Sequence, residues 1–475
     1  MSENGADNHN HFDIVVIGGG PGGYAAALYG ASAGLDVALV EYDKIGGTCL
    51  HRGCIPAKEL LETAAIVRTV KHAGNFGVVV EAKSVDWAVT LERKQTVVDR
   101  LAGGVASLLK NRKVTIFNGF GTLHPGRVVK LKGVDGSEDT ITGETVILAS
   151  GSTPRVIPGF EPDGTTVVTS DEFFHLPQVP ANAVVIGGGA IGCEFASTLA
   201  DLGAKVTILE ALPKILPGCD DDVTRVVLQA FKKKGIEVRT GAAVSGHEPR
   251  AGGGTLVRVD GDAAPLETDL VVVSVGRSPF TQGVIADGTG VSVSERGHIE
   301  VDQLCRTGEP QVWAVGDVIN TPQLAHVAYA EAIMAIKDIL GEEPPAVDYD
   351  RVPWAIYCHP EVAFAGHSEK SAKEAGYDVV VSKHRFAGNS RAQILGETDG
   401  LVKVIAEKNP DGRAGRILGV HMVGPWVTEQ LSGGYLAVNW EATVDEVAQF
   451  IQPHPSLGEL FGESVLALTG RSLHG

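Results

Sequence analysis

Apolar positions along this chain gather into short unbroken runs, each closed by glycines, with stretches of helical spacing between them. The first run, Ile14-Val15-Val16-Ile17, opens into Gly18-Gly19-Gly20-Pro21-Gly22-Gly23, and a second apolar segment follows that ends on Glu41. The pattern then returns: Ala183-Val184-Val185-Ile186 opens into Gly187-Gly188-Gly189-Ala190-Ile191-Gly192, with a second segment ending on Glu210. Gly18 and Gly187, Gly34 and Gly203, and Glu41 and Glu210 are all 169 positions apart, so the two copies share one register. An apolar run bounded by turn residues predicts a strand buried on both faces. Followed by a glycine turn, a helix and a second strand, it predicts a βαβ unit in a parallel sheet. The expected fold class is therefore α/β, built on two such units.

The glycines of a G-x-G-x-x-G turn have separate tasks. The first makes the tight turn, the second lets a pyrophosphate approach the backbone, and the third lets the helix pack closely on the strand. The N–H groups at the helix start then hold the phosphates. Here those positions are Gly18, Gly20 and Gly23, and Gly187, Gly189 and Gly192. Glu41 and Glu210 come roughly 20 residues after the first glycine, where an acid accepts from a ribose 2′-hydroxyl. A carboxylate there repels a 2′-phosphate, so the second site is expected to prefer NAD to NADP. One such fingerprint is weak evidence, whereas two with matched acids are specific.

The remaining pattern divides the chain. Residues 55–110 read as helical, and 113–148 as short strands alternating with glycine turns that return to the first sheet. Two similar segments, Ala149-Ser150-Gly151-Ser152-Thr153-Pro154 and Ser274-Val275-Gly276-Arg277-Ser278-Pro279, each follow an apolar strand and read as paired crossings. Val312-Trp313-Ala314-Val315-Gly316-Asp317 predicts another buried strand with an acid at its end, followed by a helix through Glu331 and Ile336. Beyond Pro345 the composition turns β-rich with a final helical region. Boundaries are expected near 152, 277 and 348.

Composition narrows the chemistry. The chain has 475 residues and a formal net charge of -18, which repels nucleic acid and anionic membrane surfaces. No apolar run is long enough to span a bilayer, and the first eleven residues are polar, without a leader's apolar core or a transit peptide's arginines. A cytoplasmic protein with an N-terminal tail is expected. Six cysteines, four of them scattered at 193, 219, 305 and 358, do not form an extracellular disulfide framework.

The other two cysteines, Cys49 and Cys54, follow directly after the first fingerprint, in Gly46-Gly47-Thr48-Cys49-Leu50-His51-Arg52-Gly53-Cys54. In a regular helix these positions diverge by roughly 7.5 Å along the axis and about 140° around it. A disulfide needs Cα atoms about 4.4–6.8 Å apart. A redox pair here therefore requires a distorted first turn, which Gly53 and Pro56 permit; the competing reading is two core cysteines. A thiol at a helix start is favoured as thiolate, the attacking species. No metal site is expected, because no second closely spaced Cys or Cys/His pair accompanies this one. Near the other end, His454 sits between two prolines with Glu459 shortly after it, a base with an orienting carboxylate. Taken alone, such a histidine is more often structural.

Together, the cysteine segment continuing through Ile55-Pro56-Ala57-Lys58, both fingerprints, Val315-Gly316-Asp317, Leu324-Ala325-His326 and His454-Pro455-Ser456-Leu457-Gly458-Glu459 resemble the pyridine nucleotide-disulfide oxidoreductases in order and spacing. Within that family they are most similar to the branch that oxidises protein-bound dihydrolipoamide. The resemblance covers nearly the whole chain. It implies two Rossmann-like domains and a C-terminal α+β dimerisation domain: residues 1–152 for FAD, 153–276 for NAD, 277–347 completing the FAD site, and 348–475 forming the interface. It implies FAD at Gly18, Gly20, Gly23, Glu41, Thr48, Gly151, Asp317 and Ala325, and NAD at Gly187, Gly189, Gly192, Glu210 and Gly276. Lys58 and Glu194 would pair near the reactive part of the flavin, although spacing alone reads them as a helix-surface lysine and a first-turn acid.

The same resemblance implies thiol interchange at Cys49, a flavin-facing Cys54, and His454 with Glu459 serving the cysteines of the other subunit of a homodimer. The expected partners are a lipoyl domain and the core subunit of a 2-oxo acid dehydrogenase or glycine cleavage system. His326 is assigned to structure, and Cys219 and Cys305 to small buried hydrophobes. The chain departs from the family pattern at Gln452 and Cys358, often histidine and threonine there. Competing readings are mycothione- or glutathione-type disulfide reduction on the same architecture, and a mainly structural docking component. Glu210 argues against the NADP-dependent glutathione type.

Overall fold

The computed structural model describes residues 10–81 and 84–474. Residues 1–9 of the expected tail lie outside this range. The last of the eleven polar residues, His11, already pairs with Thr142 in the first strand. The chain forms two compact units, Met1–Pro56 with Leu91–Arg155 and Arg277–Tyr349, and Ala57–Thr90 with Val156–Gly276 and Asp350–Gly475.

In the first unit, strand His11–Ile17 lies between the parallel strands Val37–Glu41 and Glu138–Leu148. Thr115–His124 continues the sheet beside Val37–Glu41, and Val128–Gly133 turns back antiparallel between Thr115–His124 and Glu138–Leu148. This is the expected return to the first sheet, but two of its three strands are long, at 10 and 11 residues. Val312–Ala314 adds to Glu138–Leu148 as the predicted buried strand. Ser152–Pro154 pairs antiparallel with Arg277–Pro279, so the two similar crossing segments do meet.

The second unit repeats the start of the first. Helix Pro21–Ser32 is matched by Ala190–Asp201, and the pairing Ile14 to Val37 by Ala183 to Val206, all at the offset read from the sequence. Its parallel sheet runs Glu237–Thr240, Lys205–Glu210, Asn182–Ile186, Leu270–Val273, Val167–Val168. The C-terminal part carries an antiparallel sheet of Trp354–Ile356, Glu361–Gly366, Ala414–Gly424, Leu401–Lys408 and Val379–Arg385, with helices Val427–Asn439 and Glu459–Leu468. Among the described residues no helix is long and apolar enough to cross a membrane.

A buried cation ties this unit together. The Lys403 ammonium, on a side chain 3% exposed, donates to Asp220 at 2.9 Å, Asp222 at 2.9 Å and Glu369 at 2.8 Å. Burial alone would push its pKa down, but the three carboxylates outweigh that and hold it up. Burial would likewise raise Asp222, yet Lys403 and Lys383 hold it at about 2; Lys373 and Lys403 hold Glu369 at about 2. Lys403→Ala leaves Asp220 buried without this cation, while Asp222 keeps Lys383 and Glu369 keeps Lys373; the loss of one partner of a buried pair typically costs about 3–5 kcal/mol. A lowered thermal midpoint is the expected result. Because both acids have depressed folded-state pKa values, their contribution is present above the ordinary carboxylate range and fades as pH falls from about 4 to 2. In Lys403→Ala the midpoint should therefore depend less on pH in that window.

Candidate active site

The two glycine turns are built alike. Gly18 and Gly187 have φ of 105° and 107°, the left-handed region open to glycine. A Cβ on Gly18 would stand 2.2 Å from the Ala149 carbonyl oxygen, and one on Gly187 2.5 Å from that of Ser274. For the third glycines the same test gives 1.7 Å from Gly18 to Gly23 and 1.9 Å from Gly187 to Gly192, so strand and helix touch there. The middle glycines differ. A Cβ on Gly189 meets nothing within 4 Å, and one on Gly20 meets only Gly47 Cα at 3.9 Å. The packing of the fold leaves open space beside Gly20 and Gly189, on the outer side of each turn. Each turn thus fits a dinucleotide pyrophosphate, with the first helical N–H groups aimed at it.

The terminal acids have a task the sequence did not disclose. Glu41 accepts from the backbone N–H of Gly19 at 2.6 Å and of Asp43 at 2.7 Å, and Glu210 accepts from Gly188 and Leu212 at the same distances. Each carboxylate braces its own glycine turn. Burial raises the Glu41 pKa against these hydrogen bonds. Replacing Gly189 with Ala puts a methyl group on the open side of the second turn, at ordinary φ. We expect roughly tenfold weaker NADH binding, read by fluorescence titration, with bound flavin and thermal midpoint unchanged.

The cysteine segment is not one distorted helix but two. Gly47–Arg52 ends at Gly53, and a new helix, Cys54–His72, begins with Cys54 itself. The expected distorted first turn is thus a full break. A Cβ on Gly53 would lie 3.0 Å from the Thr48 carbonyl oxygen and 3.3 Å from Cys49 Cα, so the chain folds back on Cys49 just before Cys54. This return brings together two cysteines that a continuous helix would separate. Both are half-buried, while Cys193, Cys219, Cys305 and Cys358 are buried. Burial pushes the Cys219 thiol up to about 12 and raises the other three, which keeps them as unreactive thiols. The segment also starts against the first glycine turn: a Cβ on Gly47 would lie 2.6 Å from Gly20 Cα.

Asp317 stands in the short turn Gly316–Val318, three residues beyond the strand rather than at its end. It accepts from Ser152 Oγ at 2.5 Å and lies 3.7 Å from Arg277 Nε. Arg277 also donates to the Ser152 carbonyl at 2.7 Å and reaches Thr48 Oγ1 at 3.5 Å. Ser152 and Arg277 were visible in the sequence only as parts of the crossing segments. Gly151 and Gly276, at φ of 72° and 107°, turn the backbone beside them, and Ala325 opens helix Ala325–Ile339.

In the second unit Lys58 donates to both oxygens of Glu194, at 3.0 and 2.9 Å. Glu194 is not a first-turn acid. It lies in the second turn of Ala190–Asp201, is 6% exposed, and also accepts from the Tyr357 N–H at 2.8 Å. The Lys58 ammonium sits 4.6 Å from the centre of the Tyr357 ring, a contact that sequence reading missed. His454 hydrogen-bonds Glu459 at 2.8 Å through Nδ1, leaving Nε2 on an imidazole whose side chain is 69% exposed. The other oxygen of Glu459 accepts from the Ser456 N–H, which fixes the carboxylate. His326 is exposed at the second position of its helix. Among the described residues no group of three or more His, Cys, Asp or Glu is placed to hold a metal ion.

Known proteins match this chain over nearly its full length. The chain is 40% identical to dihydrolipoyl dehydrogenase of Bacillus subtilis (strain 168), covering 98% of this chain and 99% of that one. It is 38% identical to dihydrolipoyl dehydrogenase of Chlamydia muridarum, covering 98% of each. Among solved structures, LpdA from Mycobacterium tuberculosis superposes with a TM-score of 0.90 at 25% identity, covering 96% of this chain and 99% of that one. The HOCl-induced flavoprotein disulfide reductase RclA from Escherichia coli superposes with a TM-score of 0.85 at 26% identity, covering 96% and 99%. Residues 352–465 match the dimerisation domain of the pyridine nucleotide-disulphide oxidoreductases. Since residues 12–332, which hold both glycine cradles and the cysteine pair, match the oxidoreductase region itself, the chain belongs to the pyridine nucleotide-disulphide oxidoreductase family.

Proposed function

We propose that this chain is a dihydrolipoyl dehydrogenase, oxidising protein-bound dihydrolipoamide to lipoamide with FAD and NAD as cofactors. The observation that carries the reading is the break at Gly53, which turns the chain back on Cys49 just before Cys54, in a segment that starts against the first glycine cradle. Full-length similarity to dihydrolipoyl dehydrogenases supports the substrate.

In this reading His454, oriented by Glu459, takes the proton of one substrate thiol. The resulting thiolate attacks Cys49 Sγ, the bond between Cys49 and Cys54 breaks, and its electron pair remains on Cys54 as thiolate. The second substrate thiol then attacks the substrate sulfur of the mixed disulfide and gives its proton to the departing Cys49, so that lipoamide closes and the cysteines hold two electrons. The flavin, when bound, supplies the transfer of that electron pair to NAD as hydride. Gly18, Gly20, Gly23, Glu41, Thr48, Gly151, Asp317 and Ala325 hold FAD, and Lys58 with Glu194 lies toward its reactive ring. Gly187, Gly189, Gly192, Glu210 and Gly276 hold NAD.

The four parts 1–152, 153–276, 277–347 and 348–475 serve as FAD, NAD, central and interface domains. His454 of one subunit serves the cysteines of the other in a homodimer. A lipoyl domain and the core subunit of a 2-oxo acid dehydrogenase or glycine cleavage system, in the cytoplasm, are the partners. The test is a comparison of turnover with dihydrolipoamide and NAD against reduction of glutathione and mycothiol disulfides. Fast lipoamide turnover is expected; negligible lipoamide turnover beside fast reduction of either small disulfide would replace this reading.

A further inference from the structure

Behind the Asp317 turn lies a carboxylate that the mechanism does not use. Glu331, on helix Ala325–Ile339, is 0% exposed. Its Oε2 accepts from the Gly316 N–H at 2.6 Å, and its Oε1 accepts from the Tyr349 hydroxyl at 3.0 Å. Gly316 is held at φ 77°, so the peptide that delivers this N–H also sets the direction of Asp317. The front of the same turn is held by Ser152 Oγ on Asp317. Asp317 is thus gripped from both sides, by a hydroxyl at its carboxylate and by a buried acid at the preceding backbone N–H. A buried acid is a demanding choice for such a brace, since burial drives its pKa up. An apolar side chain in its place would leave the Gly316 N–H and the Tyr349 hydroxyl without this acceptor.

We propose that Glu331 is a positioning residue for flavin binding, acting through Gly316 to fix Asp317 in the orientation that receives FAD. The inference rests on the assignment of Asp317 to the flavin site. Neither the charge nor the oxygen of Glu331 need touch the cofactor; the carboxylate supplies an acceptor at a defined point.

The test uses purified holoprotein diluted into flavin-free buffer, with FAD release followed by the rise in flavin fluorescence. Glu331→Leu should release FAD roughly tenfold faster, the scale of one buried hydrogen-bonding group left unsatisfied. Glu331→Gln should stay close to wild type, because its amide oxygen can still accept from Gly316. Tyr349→Phe, which removes one donor without touching the Gly316 bond, should accelerate release by less than Glu331→Leu, and it serves as the probe where the leucine variant does not fold. Asp317→Asn should itself accelerate release, and adding Glu331→Leu to it should add little further. A purely structural Glu331 would give independent, multiplicative effects in the double variant, and that result overturns the inference while leaving Asp317 in the flavin site. Wild-type release from Glu331→Leu overturns it as well. Wild-type release from Asp317→Asn removes the underlying assignment instead, and the inference with it.

Discussion

Cys49→Ser should abolish NADH formation from dihydrolipoamide, lowering the rate by about a thousandfold or more, because a serine hydroxyl at neutral pH neither accepts thiolate attack nor forms the mixed disulfide. Transfer from NADH to a one-electron acceptor such as ferricyanide should survive, since that path needs the nicotinamide and flavin sites and not the sulfurs. The contrast between the two assays separates a chemical loss from a folding loss. Cys49 is half-buried at the third position of helix Gly47–Arg52, where an oxygen for sulfur exchange adds no bulk, so bound flavin should be retained. A variant that kept lipoamide turnover would remove the cysteine pair from the reaction.

His454→Gln is expected to cost about 10²–10⁴ in the same reaction, the usual contribution of a positioned base. The geometry makes the loss specific. Nδ1 is committed to Glu459 at 2.8 Å, which fixes the ring and leaves Nε2 as the proton acceptor on a side chain 69% exposed. Glutamine keeps an amide N–H that can donate to Glu459 but cannot take up the substrate proton. Glu459→Gln should fall between wild type and His454→Gln, since the imidazole remains but loses its anionic partner. Steady-state rates at neutral pH check both.

The parts of the fold that were legible in the sequence share a cause: they are fixed by local sterics. Gly18 and Gly23 must be glycine because a methyl group would strike a backbone oxygen a few residues or one strand away, and that constraint repeats at Gly187 and Gly192. The 169-residue offset therefore survives unchanged into helix bounds and strand register. What the sequence left hidden is held by partners distant along the chain. Spacing around Cys49 and Cys54 called for distortion but could not place a complete break at Gly53. Glu194 read as a first-turn acid because its partners, Lys58 and Tyr357, are 136 and 163 residues away. The grip of Ser152 and Arg277 on Asp317, the brace of Glu331 on Gly316 and the carboxylates around Lys403 carry no spacing signal at all. In each case a buried charge or backbone donor is satisfied by whatever the fold brings beside it.

The central claim is that electrons from a dithiol enter through Cys49 and leave Cys54 as a thiolate lying against the flavin. Anaerobic addition of dihydrolipoamide to the purified holoprotein tests it most directly, with absorbance followed at wavelengths beyond the oxidised flavin bands. A long-wavelength thiolate-to-flavin band should grow in the wild type and be absent from Cys54→Ser. Its persistence in Cys54→Ser would contradict the account.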